Sequence, residues 1–363
     1  MFTIGYCFYN KENIKEAKLN GTFIDKIISN KYIKIIGIML LLGLIYFKIK
    51  YLNATNNIID SSELRMARFT TMFSSYAESI IYNYLLVGVL DIYVILFAIL
   101  LIEKKYKNSI FVMSLASILL YISIGYGRKV LLDIIIYAII WFLVRNKGKI
   151  NINSKSIKKG IVGILIIFII SVSATTIRLG VQLTNIQKIK EDIVEEQIKQ
   201  YFVYFLGGFR SLDRYIQNEE FDYEFGRMTL GGIDEIISLP FIALGYDYNS
   251  INSKYGEKLQ ENIIIGDNIS FNAFYTCVMN FYTDFGIVGV ILIPLLYGII
   301  LKCIIRRALI TYNLFDIILM LFIISNTISA IYKWFYQSGS TIFTIIVILV
   351  LKKFIRIKEE GYE

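Results

Sequence analysis

Several blocks of this chain run for about 18 residues with hardly a charged side chain, the signature of helices that cross a bilayer. Composition agrees. The chain is 56% hydrophobic with a mean hydropathy of +0.59, whereas a soluble domain is about 45–50% apolar. The pattern predicts an all-α polytopic integral membrane protein of about eight spans, near residues 33–47, 79–102, 109–125, 130–144, 160–177, 287–301, 314–331 and 341–351. One long stretch, 178–286, is not a span. The chain therefore divides into an N-terminal bundle (1–177), a large loop (178–286) and C-terminal spans with a tail (287–363). The opening MFTIGYCFYN reads as the tail of an apolar helix and lacks the long apolar core of a signal peptide.

Charge sets the orientation. With the N-terminus inside, the short inner segments hold twenty-two basic residues and the short outer ones hold seven. Basic residues collect on the cytoplasmic side, and long loops are left out of the count because they cross regardless of charge. Both termini are thus expected in the cytoplasm, with 178–286 outside, where ATP and nucleotide sugars are not supplied. The net charge of +9 follows from this topology and does not call for nucleic acid.

Some chemistries drop out. The chain has no histidine, so imidazole bases, His-ligated metals and Ser-His-Asp triads are excluded. Cys7, Cys277 and Cys303 are far apart and fit no metal or disulfide pattern. No metal or cofactor is expected.

Inside the loop, apolar residues from Ile186 to Phe205 recur at helical spacing between charges, predicting an amphipathic helix that Gly207–Gly208 stops. A second helix is expected at 232–244, carrying Pro240. Residues 246–268 read as surface loop, and 270–285 as an aromatic helix leading into the next span.

The loop carries sixteen acidic side chains against nine basic ones, yet Arg178, Arg210, Arg214 and Arg227 sit in apolar, aromatic or Gly-rich surroundings. Arginine recognises phosphate bidentately, and several at an outer membrane face suit a lipid-linked pyrophosphate. The alternative for any one of them is a helix end anchored at the headgroups. Arg128 and Lys129, at a hairpin tip against the positive-inside bias, read either as a substrate contact or as an ion pair of Lys129 with Asp133. Asp91, mid-span, is either functional or a protonated bundle residue. Asn272, Tyr275, Asn280, Tyr282 and Asp284 combine amides, rings and a carboxylate, a set that binds sugars. The alternative is an interfacial aromatic belt. Asp213 and Asp284 are the acids placed by context to act as a general base.

The order of features resembles the oligosaccharide repeat-unit polymerase family, the Wzy type that builds O-antigen and capsule. The likeness rests on the GYGR turn (125–128), an arginine just after a span, a large loop with YF and GG followed by GRMTLGG (226–232), and NFYTDFGIVGV (280–290) opening a span. It implies a bacterial cytoplasmic-membrane glycosyltransferase acting at the outer face. A growing chain would move from undecaprenyl pyrophosphate onto the next lipid-linked repeat unit. Arg128, Arg178 and Arg210 would neutralise the donor pyrophosphate, while Asn280 and Asp284 belong to the matched motif. The implied partners are lipid-linked substrates, membrane lipids, a flippase and a chain-length regulator. The family usually has more spans before this point. The competing readings are an O-antigen ligase, which depends on a loop histidine this chain lacks, and a flippase or other transporter, whose internal repeats are not evident.

Overall fold

The computed structural model describes residue 3 and residues 22–56, 71–124, 129–146, 195–218, 223–256, 263–266, 269–271 and 276–355. Arg128, Arg178, Asn272, Tyr275 and the expected span at 160–177 lie outside them. The described residues fall into two compact units, one from 18 to 196 with 347–363, the other from 197 to 346 with the first 17 residues. The boundary cuts the expected loop, so most of that loop groups with the following spans.

The first unit is built from helices. After a short α1 (Thr22–Ser29) come α2 (Lys31–Thr55), α3 (Tyr76–Ile102, with a π-helical stretch at Ile81–Leu86), α4 (Ser109–Ser123) and α5 (Lys129–Arg145). Side chains at the edges of the apolar runs mark where these helices start. Asn30 accepts from the amides of Tyr32 and Ile33, Ser75 from Glu78 and Asn108 from Ile110. Each cap satisfies amides that a first helical turn leaves open. Helix α3 is the centre: 67% of its most apolar stretch is buried, against 28% in α2. It packs against both α4 and α5, and α2 packs on α4.

Polar groups gather at the two ends of this bundle. At one end Lys50 meets Glu78 at 2.6 Å, Tyr46 donates to the same carboxylate, and Lys48 donates to the Ser123 carbonyl at 2.7 Å. At the other, Lys105 pairs with Asp25 at 3.0 Å, while Glu103 takes Trp141 and Arg145. The middle of the bundle is apolar apart from hydroxyls such as Tyr93, which donates to the Ile33 carbonyl, and Asp91, half-buried in α3. This is the distribution expected of helices that run up and down between two polar boundaries.

The second unit begins with α6 (Glu195–Asn218), α7 (Gly231–Ala243, with Pro240 inside) and α8 (Ile251–Gly256). An antiparallel ribbon follows, β1 (Ile263–Gly266) with β2 (Ile269–Phe271), pairing Ile263 with Phe271. Then come α9 (Cys277–Thr311), α10 (Leu314–Ser329), capped by Asn313, a 3-10 turn at Phe335–Gln337, and α11 (Gly339–Phe354), whose residues from 347 on group with the first unit.

Among the described residues three helices, α2, α3 and α9, are long and apolar enough to cross a membrane; α4 and α10 are shorter apolar helices. Three expectations need correction. The fold is helical as expected, but the stretch read as surface loop at 246–268 holds α8 and β1. Gly207–Gly208 does not stop α6: both glycines are buried, and Ser211 Oγ donates back to the Gly207 carbonyl at 2.9 Å. A glycine inside a helix costs roughly 1 kcal/mol, a cost that packing overrides when the glycine lies on the buried side. The aromatic helix expected from 270 starts only at Cys277.

Candidate functional site

Helix α9 is two helical segments joined by a break. Phe285 (φ −144°, ψ 19°) and Gly286 (φ 59°, ψ −145°) leave the helical region, and the helix resumes at Ile287. Here the sequence placed the start of a span. Before the break Asn280, Thr283 and Asp284 are all buried. A helix that stops exposes carbonyls without partners, and here a distant strip of chain supplies them. The Glu224 amide donates to the Thr283 carbonyl at 3.1 Å and the Phe225 amide to the Asp284 carbonyl at 3.3 Å.

The strip then turns back through Phe225 (φ 48°) and Gly226 (φ 96°), which aims the next two peptides at the same helix end. The Met228 and Thr229 amides donate to the two Asp284 oxygens at 2.9 and 2.7 Å. The Met228 carbonyl accepts from Asn280 Nδ2 at 3.1 Å, and the Thr229 carbonyl from Trp334 Nε1 at 2.7 Å. Three side chains thus satisfy every backbone polar group of two buried residues. Asn280 also donates to Gln337 Oε1 at 3.2 Å, tying in the 3-10 turn. Around this clamp Phe281, Trp334, Tyr297 and Tyr336 pack edge to face, with Phe281 and Trp334 centred 4.9 Å apart. Burial, then the neighbouring Tyr297, pushes the Tyr336 phenol well above its ordinary pKa.

Trp334→Phe keeps the ring contacts and strips the one donor from the Thr229 carbonyl. A buried carbonyl left open costs about 1–3 kcal/mol. The variant is expected to melt several degrees lower in detergent, and an unchanged melting temperature would mean that another donor takes over.

A charged cluster lies on the same strip. Buried Glu224 accepts from Lys254 at 2.5 Å and Tyr255 Oη at 2.9 Å, with Arg227 at 3.6 Å. Buried Asp234 accepts from Tyr248 Oη and the Ile251 amide, each at 2.7 Å, and from Arg227 at 3.4 Å. The hydrogen bond to Asp234, aided by burial, raises the Tyr248 pKa above its ordinary value. Glu235 accepts from Asn252 at 2.6 Å and from the Gly339 amide at 2.9 Å. Arg227 is 45% exposed with both neighbouring acids nearly buried. It is a fixed guanidinium whose charge is already answered, and a phosphate would have to compete for it.

The sequence candidates fare unequally. Asn280, Asp284 and Arg227 come together, joining motifs more than fifty residues apart. Tyr282 is half-buried beside them in sequence. Arg210 and Asp213 pair with each other at 2.9 Å on the exposed side of α6, where Gln217 also donates to Asp213, and Arg214 is exposed. Lys129 pairs with buried Asp133 at 2.9 Å, the ion-pair alternative. Asp284, read as a base, has each oxygen taken by a backbone amide; the geometry makes it a brace. Asp316 is buried against Arg307 and Thr311. Sequence reasoning missed Glu224, Asp234, Trp334 and Gln337. Only Trp334 left a mark, as one of two tryptophans standing in the short polar break KWFYQSGS. Among the described residues no group of three His, Cys, Asp or Glu side chains could hold a metal ion.

The class that this fold defines is a helical chain with, among the described residues, three helices long and apolar enough to cross a membrane. No family model, no curated protein and no solved structure matches it.

Proposed function

We propose that the protein is a membrane glycosyltransferase that joins lipid-linked oligosaccharide repeat units into O-antigen, capsular or exopolysaccharide at the outer face of a bacterial cytoplasmic membrane. One observation carries the reading: the two stretches that bear the family resemblance, GRMTLGG and NFYTDFG, are interlocked through Asp284 and Asn280 at the start of an apolar helix. That interlock favours a single functional unit over two chance motifs. Beside it the buried acids, Arg227, Tyr248 and the amide of Asn252 offer hydroxyl-binding groups of the kind that hold sugars. Pyrophosphate is already a good leaving group, so positioning and charge stabilisation suffice for transfer of the chain to an acceptor hydroxyl. Arg128, Arg178 and Arg210 supply that charge in this reading, and Arg227 holds the acceptor.

The gene, expressed in a host lacking its own polymerase and supplied with the matching repeat unit, should restore a ladder of long polysaccharide chains on gels. Arg178→Ala and Arg210→Ala should abolish the ladder at unchanged protein level. Single repeat units despite normal expression would sink the reading. Transport of lipid-linked units without polymerisation would mark a flippase, and transfer of finished chains to an acceptor core would mark a ligase.

A further inference from the structure

The break in α9 is flanked by three exposed aromatic rings. Phe225 is 76% exposed, Tyr223 54% and Phe285 41%. They form a chain of edge-to-face pairs with centroids 6.3 Å apart at each step. Phe225 is held out by backbone in the left-handed region, φ 48°, which a bulky non-glycine residue adopts only when its surroundings impose it. The surroundings here are the Phe225 amide bond to the Asp284 carbonyl and the Asp284 grip on the residues that follow. The fold therefore spends conformational strain on presenting an apolar ring outward.

The helix leaving this ring cluster says what lies outside. From Ile287 to Leu301 there is no charged residue. Val288, Leu292, Leu296 and Ile300 recur every fourth position, and all four are exposed. Only 17% of the most apolar stretch of this helix is buried in the protein. Lys302, Arg306 and Arg307 follow at its far end. Fifteen helical residues span about 22 Å, short of a hydrocarbon core of about 30 Å. At the far end stands Lys302, a residue type whose long stem extends an apolar run by snorkelling. At the near end the extra apolar height is supplied by the three rings standing beyond the break. Aromatic side chains at the two polar boundaries are where membrane proteins place them.

We propose that Tyr223, Phe225 and Phe285 form a lipid-facing anchor that seats the 223–230 strip at the headgroup level of a phospholipid bilayer, on the face opposite Lys302, Arg306 and Arg307. The anchor fixes the depth of Glu224, Arg227 and the clamp, so the cluster works at the lipid–water boundary. The proposal rests on the membrane character of α9 and on no particular reaction.

Spin labels test it without any activity. Cys7, Cys277 and Cys303 are replaced by alanine, and single cysteines are introduced as Phe225→Cys, Tyr223→Cys and Leu296→Cys in the full chain. The labelled proteins are placed in vesicles of phosphatidylcholine and phosphatidylglycerol. Collisions with oxygen, which concentrates in lipid, are compared with collisions with a water-soluble nickel chelate. Leu296 should report the membrane interior. Phe225 and Tyr223 should both report oxygen access and a depth between Leu296 and bulk water. Nickel access at both ring positions equal to that of free label would overturn the anchor, and so would exclusion of both reagents, which would mean a protein partner covers the rings. Failure of the wild-type chain to restore a polysaccharide ladder, with these depths as expected, would count against the polymerase reading alone.

Discussion

Asp284→Ala is expected to destabilise the protein by about 3 kcal/mol and to open the 224–230 strip to trypsin at Arg227. The carboxylate is fully buried and accepts the Met228 and Thr229 amides at 2.9 and 2.7 Å. Hydrogen bonds to charged groups contribute roughly 1.5–3 kcal/mol each, and an amide stranded in the interior costs about 1–3 kcal/mol. Removing a buried charge offsets part of that loss. Asp284→Asn keeps the volume and one acceptor but turns an N–H toward the second amide, so it should open the strip as well. The pair of variants separates two roles. A brace predicts lower melting temperature and trypsin cleavage in both. A catalytic base predicts that Asp284→Asn loses laddering while melting and the protease pattern stay as in the wild type. That second outcome would return Asp284 to the reacting atoms.

The helices were legible because an apolar run leaves a chain in lipid few options; the caps at Asn30, Ser75, Asn108 and Asn313, which set where the helices start, were not read. The start of α9's apolar segment was legible too, since NFYTDFG ends on the glycine that the break requires. The arrangement of the site was not. Asp284 reads as a candidate base when only its neighbours are known; its role is set by amides at Met228 and Thr229, which no local pattern announces. Arg227 looked like a free phosphate ligand until Glu224 and Asp234 came to flank it. Gly207–Gly208 misled for a related reason: propensity argues a stop, and the packing that overrides it is tertiary. A pairing at short range, such as Lys129 with Asp133, was legible because helical spacing alone brings those residues together.

The break itself is the second point at which one atom should decide the fold. Gly286 has φ 59° and ψ −145°, a region open essentially to glycine alone. An added Cβ would also approach Tyr223 Oη to 3.0 Å, a contact the tyrosine can relieve by moving. Three residues on, Gly289 lies so close to the earlier helical segment that a Cβ would sit 2.1 Å from the Phe281 carbonyl oxygen. That neighbour is backbone and cannot swing aside. Gly286→Ala is therefore expected to cost about 1–3 kcal/mol through backbone strain. Gly289→Ala should cost as much or more by prising the two segments apart. Val288→Ala, between them but exposed, should melt close to the wild type. The two glycine variants should differ in how the damage spreads. Gly286→Ala pulls at Tyr223 and the aromatic rings. Gly289→Ala displaces Phe281, and with it the contact to Trp334 that holds the Thr229 carbonyl. Tryptophan fluorescence should accordingly shift in Gly289→Ala more than in Gly286→Ala. A Gly289→Ala protein that melts and fluoresces like the wild type would mean that α9 runs straight through residue 286.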